Sequence, residues 1–130
     1  MLYQILGWLN VALLATITAP YWVRRLGQWL FPGKRAAIAK WIKPLRALHK
    51  PLGIAFAVLA LIHGILALGA LRLHTGSLVW ILVLATATLG ILFYRKKKAP
   101  LFRWHKRLAL ATVFLLLLHL IFPSALYYLF

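Results

Sequence analysis

The chain has 130 residues, 65% of them hydrophobic, with 16 Lys and Arg, no Asp or Glu, and no Cys. An ordinary soluble domain is about one quarter charged residues, so that class is excluded. At about 20 apolar residues per membrane span the length holds four or five spans and no further water-soluble domain, so any flavin or nucleotide domain must lie elsewhere. The missing carboxylates rule out chemistry that needs an acidic general base, a glycosidic acid, a Mg²⁺ ligand or an acidic proton relay. The missing thiols rule out disulfides, iron–sulfur clusters and thiolate zinc sites. A formal charge of +16 would ordinarily suggest nucleic acid. The cations instead fall in two blocks, Arg24 to Lys50 and Arg95 to Arg107, each separating long apolar runs, which is the positive-inside pattern of a polytopic membrane protein and excludes a nucleic-acid partner.

Residues 2–23 carry no charge and predict a first span, kinked near Pro20. No basic stretch precedes it, so it reads as a permanent helix and not a cleaved signal. Phe31-Pro32-Gly33-Lys34 signals a turn, and the following segment, in which basic residues alternate with Ala, Ile, Leu and Trp41, predicts an interfacial element in the headgroup layer. A second span runs over about 45–71, its start blurred by Pro44 and Pro51; a third covers 78–94 and a fourth 101–122, ended by Pro123. The expectation is an all-α, single-domain membrane bundle of about four helices over residues 1–130. Fifteen of the sixteen cations lie on one side of these spans and only Arg72 on the other, which predicts both termini outside and both basic loops inside. Spans two and four then run parallel. Most of the six Trp sit near span ends, as an aromatic belt requires.

A histidine inside a bilayer costs on the order of 3 kcal/mol and needs a reason. His49 and His63 are 14 residues apart on the second span, and His105 and His119 are 14 apart on the fourth. Fourteen helical steps bring side chains back to within roughly 40° of each other, about 21 Å along the axis. Each pair therefore faces one way, and across parallel helices His49 meets His105 near the inner surface while His63 meets His119 near the outer. Two histidines per level, with no Cys or carboxylate to add, fall short of a tetrahedral zinc site. They suffice as axial ligands of a heme, whose porphyrin brings the other four nitrogens. Two heme b groups are thus expected, with His49 and His105 on the inner iron and His63 and His119 on the outer. Gly53 and Ala109, each four residues after an inner histidine, leave room for a macrocycle or serve helix packing, and both explanations stand. The propionates would be the main local anions, with Arg46, Lys50, Arg103, Lys106 and Arg107 available at the inner site and Arg72 at the outer. His74, in the turn between spans two and three, reads as exposed.

The segments LHKPLG followed by His63, and WHKRL followed by His119, each with a thirteen-residue gap between histidines, resemble the cytochrome b core of the ferric reductase-like transmembrane family. That family includes NADPH oxidases and the heme subunit of bacterial periplasmic methionine sulfoxide reductases. The resemblance covers about residues 45–122 and implies two stacked b hemes passing single electrons from an inner donor to an outer acceptor. The chain departs from the family in having about four spans where more are usual, in the Pro51 that follows His-Lys, and in carrying no flavin or nucleotide domain. The leading expectation is therefore a diheme electron conduit in a bacterial plasma membrane. It would be surrounded by lipid and served by a redox partner such as a flavin reductase, or by a quinone, with an oligomer left open. An electron-transfer subunit is favoured over a complete enzyme, and no catalytic residue is assigned. Two other readings are a quinone-reactive, heme-bearing anchor of a larger oxidoreductase and a heme-free structural subunit.

Overall fold

The computed structural model describes residues 1–70 and 72–128. Four helices account for nearly all of it: α1 Leu2–Leu30, α2 Arg35–Leu68, α3 Thr75–Lys96 and α4 Ala99–Ile121, followed by a short 3-10 turn at Ala125–Tyr128. All four are long and apolar enough to cross a membrane, and among the described residues there is no strand. The chain is an all-α four-helix membrane bundle.

Local chemistry explains the helix ends. Phe31-Pro32-Gly33 breaks α1 from α2. Gly69 closes α2 in the left-handed conformation (φ 70°), its N–H donating to the Ile65 carbonyl at 2.8 Å; lacking Cβ, glycine takes this shape freely. The His74 side chain caps α3 by accepting from the Gly76 N–H. Pro100 sits in the first turn of α4, where a missing N–H costs nothing. The bundle is built from two helical hairpins, α1 on α2 and α3 on α4, joined by a smaller α2–α3 contact. Leu14, Phe56, Val79 and Val83 form the buried centre, with Val113, Leu115 and Leu116 of α4 packed on it. Ile54, Ile91 and Phe114 face outward and are more than half exposed, as lipid-facing side chains are.

The basic stretch after the first turn is continuous with the second span. It forms the first turns of α2, which continues through Pro44 and Pro51 for 34 residues. Of its apolar residues Ile42 is buried while Trp41 is 73% exposed, and Ile38 sits so close to Gly27 of α1 that a Cβ there would meet it at 2.9 Å. At about 1.5 Å per residue α2 is roughly 51 Å long, well beyond a hydrocarbon core of about 30 Å, and its partner α1 is likewise extended past Val23 to Leu30.

Candidate functional site

The four span histidines share one arrangement. His63 Nδ1 lies 2.7 Å from the Tyr3 carbonyl, His49 Nδ1 3.1 Å from the Ile17 carbonyl, and His105 Nδ1 2.8 Å from the Thr86 carbonyl. His119 Nδ1 lies 2.7 Å from Thr75 Oγ1, whose own hydroxyl proton goes to the Pro123 carbonyl at 2.6 Å. A carbonyl only accepts, and the Thr75 hydroxyl has already spent its proton, so in all four rings Nδ1 carries hydrogen and donates. In its neutral form each ring keeps a lone pair on Nε2, the state a metal-binding imidazole needs, with the opposite nitrogen held as metal sites hold it. His74 is the reverse. It accepts the Gly76 N–H on Nδ1 at 3.3 Å, which puts the proton of the neutral ring on Nε2. It is also half-buried, not exposed as the sequence suggested, because it caps α3.

Helix periodicity sets up these contacts. Tyr3 and Ile17 are 14 residues apart on α1, the same step that separates His63 from His49 on α2, so one antiparallel packing serves both. Three glycines make room for the rings. A Cβ on Gly7 would come within 3.1 Å of His63 Cε1, one on Gly90 within 3.1 Å of His105 Cε1 and Nδ1, and one on Gly76 within 3.2 Å of His119 Cε1. Gly7 and Gly90 each lie four residues after the residue whose carbonyl is used, one turn on along the same helix face.

At the inner level the His49 and His105 ring centres are 6.0 Å apart with planes at 72°. At the outer level His63 and His119 line one cavity of about 310 Å³, with His74 at 5.5 Å from the His119 ring. Its walls are mostly apolar, including Val11, Phe56, Ala60, Val79 and Leu116. Between the levels lie Phe56 and Thr112, each seven residues from both histidines of its own helix and each buried. Among the described residues no three His, Cys or acidic side chains form a group that could hold a metal ion by themselves.

The remaining candidates divide. A Cβ on Gly53 would meet nothing within 4 Å, so that face of α2 stands open, and Ala109 is half-buried. Lys50 stands over the Tyr94 ring at 3.5 Å, Lys106 over Phe102 at 4.8 Å and Arg107 over Trp104 at 5.2 Å, contacts that hold these cations to the inner end of the bundle. Arg46, Arg72 and Arg103 are exposed. Thr75, Gly7, Gly76, Gly90 and the buried Asn10 were not singled out from the sequence, although a glycine facing a histidine-bearing helix and a lone amide in an apolar span were signals that could have found them.

The arrangement brings two span histidines together at each of two levels, edge to face at His49 and His105 and around one apolar cavity at His63 and His119. Comparison with family models, with curated proteins and with solved structures finds no match to this chain.

Proposed function

We propose that the chain is a diheme b-type cytochrome that moves electrons across the membrane, from a donor at the basic inner face to an acceptor at the outer face. The observation that carries this reading is the common anchoring of four histidines through Nδ1, leaving four Nε2 lone pairs at two levels. The inner spacing supports it. The His49 and His105 ring centres are 6.0 Å apart, and the two rings would hold one heme between them. The apolar walls and the donor set suit a porphyrin better than an ion that needs all its ligands from protein.

Bound heme iron supplies one-electron redox chemistry; the chain supplies the rest. His49 and His105 would hold the inner group and His63 and His119 the outer, with Tyr3, Ile17, Thr75 and Thr86 fixing ring orientation. The Leu14, Phe56, Val79 and Val83 layer keeps water from the space between. Lys50, Lys106 and Arg107 lie where they can meet propionates at the inner end, and Arg72 at the outer. In this reading the motifs around His49 and His105 mark a reduced relative of ferric reductase-like membrane cytochromes, set in a bacterial plasma membrane and dependent on a flavin reductase, another redox protein or a quinone for electrons. The test uses liposomes loaded with dithionite. External ferricyanide should be consumed faster with the wild type than with a variant carrying His63→Ala and His119→Ala. Equal rates, with the inner heme still bound in the variant, would remove the outer site from the path.

A further inference from the structure

The basic end of α1 carries a groove that neither histidine level uses. Trp22, Leu26 and Trp29 follow one another at steps of four and three residues, which places them on one face of the helix, and with Arg25 and Gln28 they line the groove. All five belong to α1, so no second helix closes it. Gly27 points the other way, toward Ile38 of α2. Arg25 and Trp29, two residues to either side of it, lie about 160° round the helix. The indoles are open: Trp22 is 37% exposed and Trp29 78%.

Charge sets the depth of this groove. Leu2 to Val23 is uncharged and spans roughly 33 Å as a helix, enough to fill a hydrocarbon core of about 30 Å. The headgroup layer adds about 5–8 Å on each side. Arg25 lies roughly 3 Å past Val23 and Gln28 roughly 8 Å, so the polar groups of the groove stand at headgroup depth while Trp22 stays at the edge of the core. The chain has no Asp or Glu to pair with the Arg25 guanidinium, and Arg24, Lys34 and Arg35, all exposed, lie at the same end.

We propose that this groove binds the headgroup of an anionic phospholipid. The phosphate oxygens accept from the Arg25 fork, the Gln28 amide and the Trp29 indole N–H. Trp22 and Leu26 take the glycerol and the first methylenes of the acyl chains, as amphipathic residues do at the membrane boundary. The surrounding cations, none of them matched by an acidic side chain, favour an anionic over a zwitterionic headgroup. The site is separate from both histidine levels and stands whether or not they carry heme.

The test is native mass spectrometry of the purified chain in detergent, titrated with phosphatidylglycerol or with phosphatidylcholine. Wild type should bind the first phosphatidylglycerol more tightly than phosphatidylcholine. Arg25→Gln should weaken that binding about fivefold. Arg24→Gln removes the same charge from a different face of α1 and should leave it within about twofold. Both arginines are exposed, and circular dichroism checks that the helices are kept. Equal affinity of the wild type for the two lipids, no loss in Arg25→Gln, or equal loss in both variants overturns the proposal, the last by reducing it to diffuse surface charge. Displacement of bound phosphatidylglycerol by millimolar inorganic phosphate or by poly-glutamate also overturns it, assigning the groove to a soluble anion or to an acidic protein.

Discussion

Replacing Thr75 by Val keeps the size and β-branching of the side chain and removes only the hydroxyl. Thr75 is 2% exposed and does two things: it takes the Nδ1 proton of His119 at 2.7 Å and gives its own to the Pro123 carbonyl at 2.6 Å. Pro123 is exposed, so water can replace that second contact. His119 is half-buried and loses the acceptor that orients it, and a donor left without a partner away from water costs about 1–3 kcal/mol. Loss of the group that orients a metal-bound histidine typically weakens the site about 10–100-fold, and at 1.36 kcal/mol per factor of ten these two figures agree. The outer heme of Thr75→Val should therefore leave the protein about 10–100 times more readily, while the inner heme, whose ligands rest on Ile17 and Thr86, is retained as in the wild type. The assay is transfer of heme to excess apomyoglobin, read at the Soret band. Thr75→Ser restores the hydroxyl and should restore outer retention. Wild-type release from Thr75→Val, or equal loss of both hemes with the fold intact, would refute the assignment of Thr75 as the positioning residue of His119.

His49→Ala should cost mainly the inner heme and His63→Ala mainly the outer, because the two ligands are about 21 Å apart along one helix; single variants that lose both equally while folded would show that the sites are not independent. Gly90→Leu drives a side chain into the place of the His105 ring, already 3.1 Å from a Cβ there, and should deplete inner heme while sparing the outer, measured by heme content against His49→Ala. A cysteine at position 72 should react with an impermeant thiol reagent on intact cells and one at position 96 should not, as the fifteen-to-one division of cations demands; the opposite labelling would invert the topology.

The helices were legible in the sequence because long uncharged runs admit little but membrane helices, and the 14-residue spacing of the histidines pointed to the two levels at which the rings lie. What holds the rings was not legible. Three of the four Nδ1 acceptors are main-chain carbonyls of Tyr3, Ile17 and Thr86, and every residue has a carbonyl, so only the packing of α1 on α2 and α3 on α4 selects them. Thr75 could be seen only as part of a turn, since its partners, His119 and Pro123, arrive from the far end of the chain. The continuity of the basic start of α2 with the second span was not legible either, because Pro44 and Pro51 lie between them and read as breaks. His74 looked like a loop residue because a histidine cap on a helix has no sequence signature distinct from a turn.

The central claim is that four anchored imidazoles bind two hemes, and the most direct measurement is heme stoichiometry. A pyridine hemochrome assay on the purified, folded chain, paired with visible spectra before and after dithionite, should give two b-type hemes per chain and a reduced spectrum of six-coordinate, bis-imidazole iron. Zero or one heme per chain in protein that retains its helical content would contradict it.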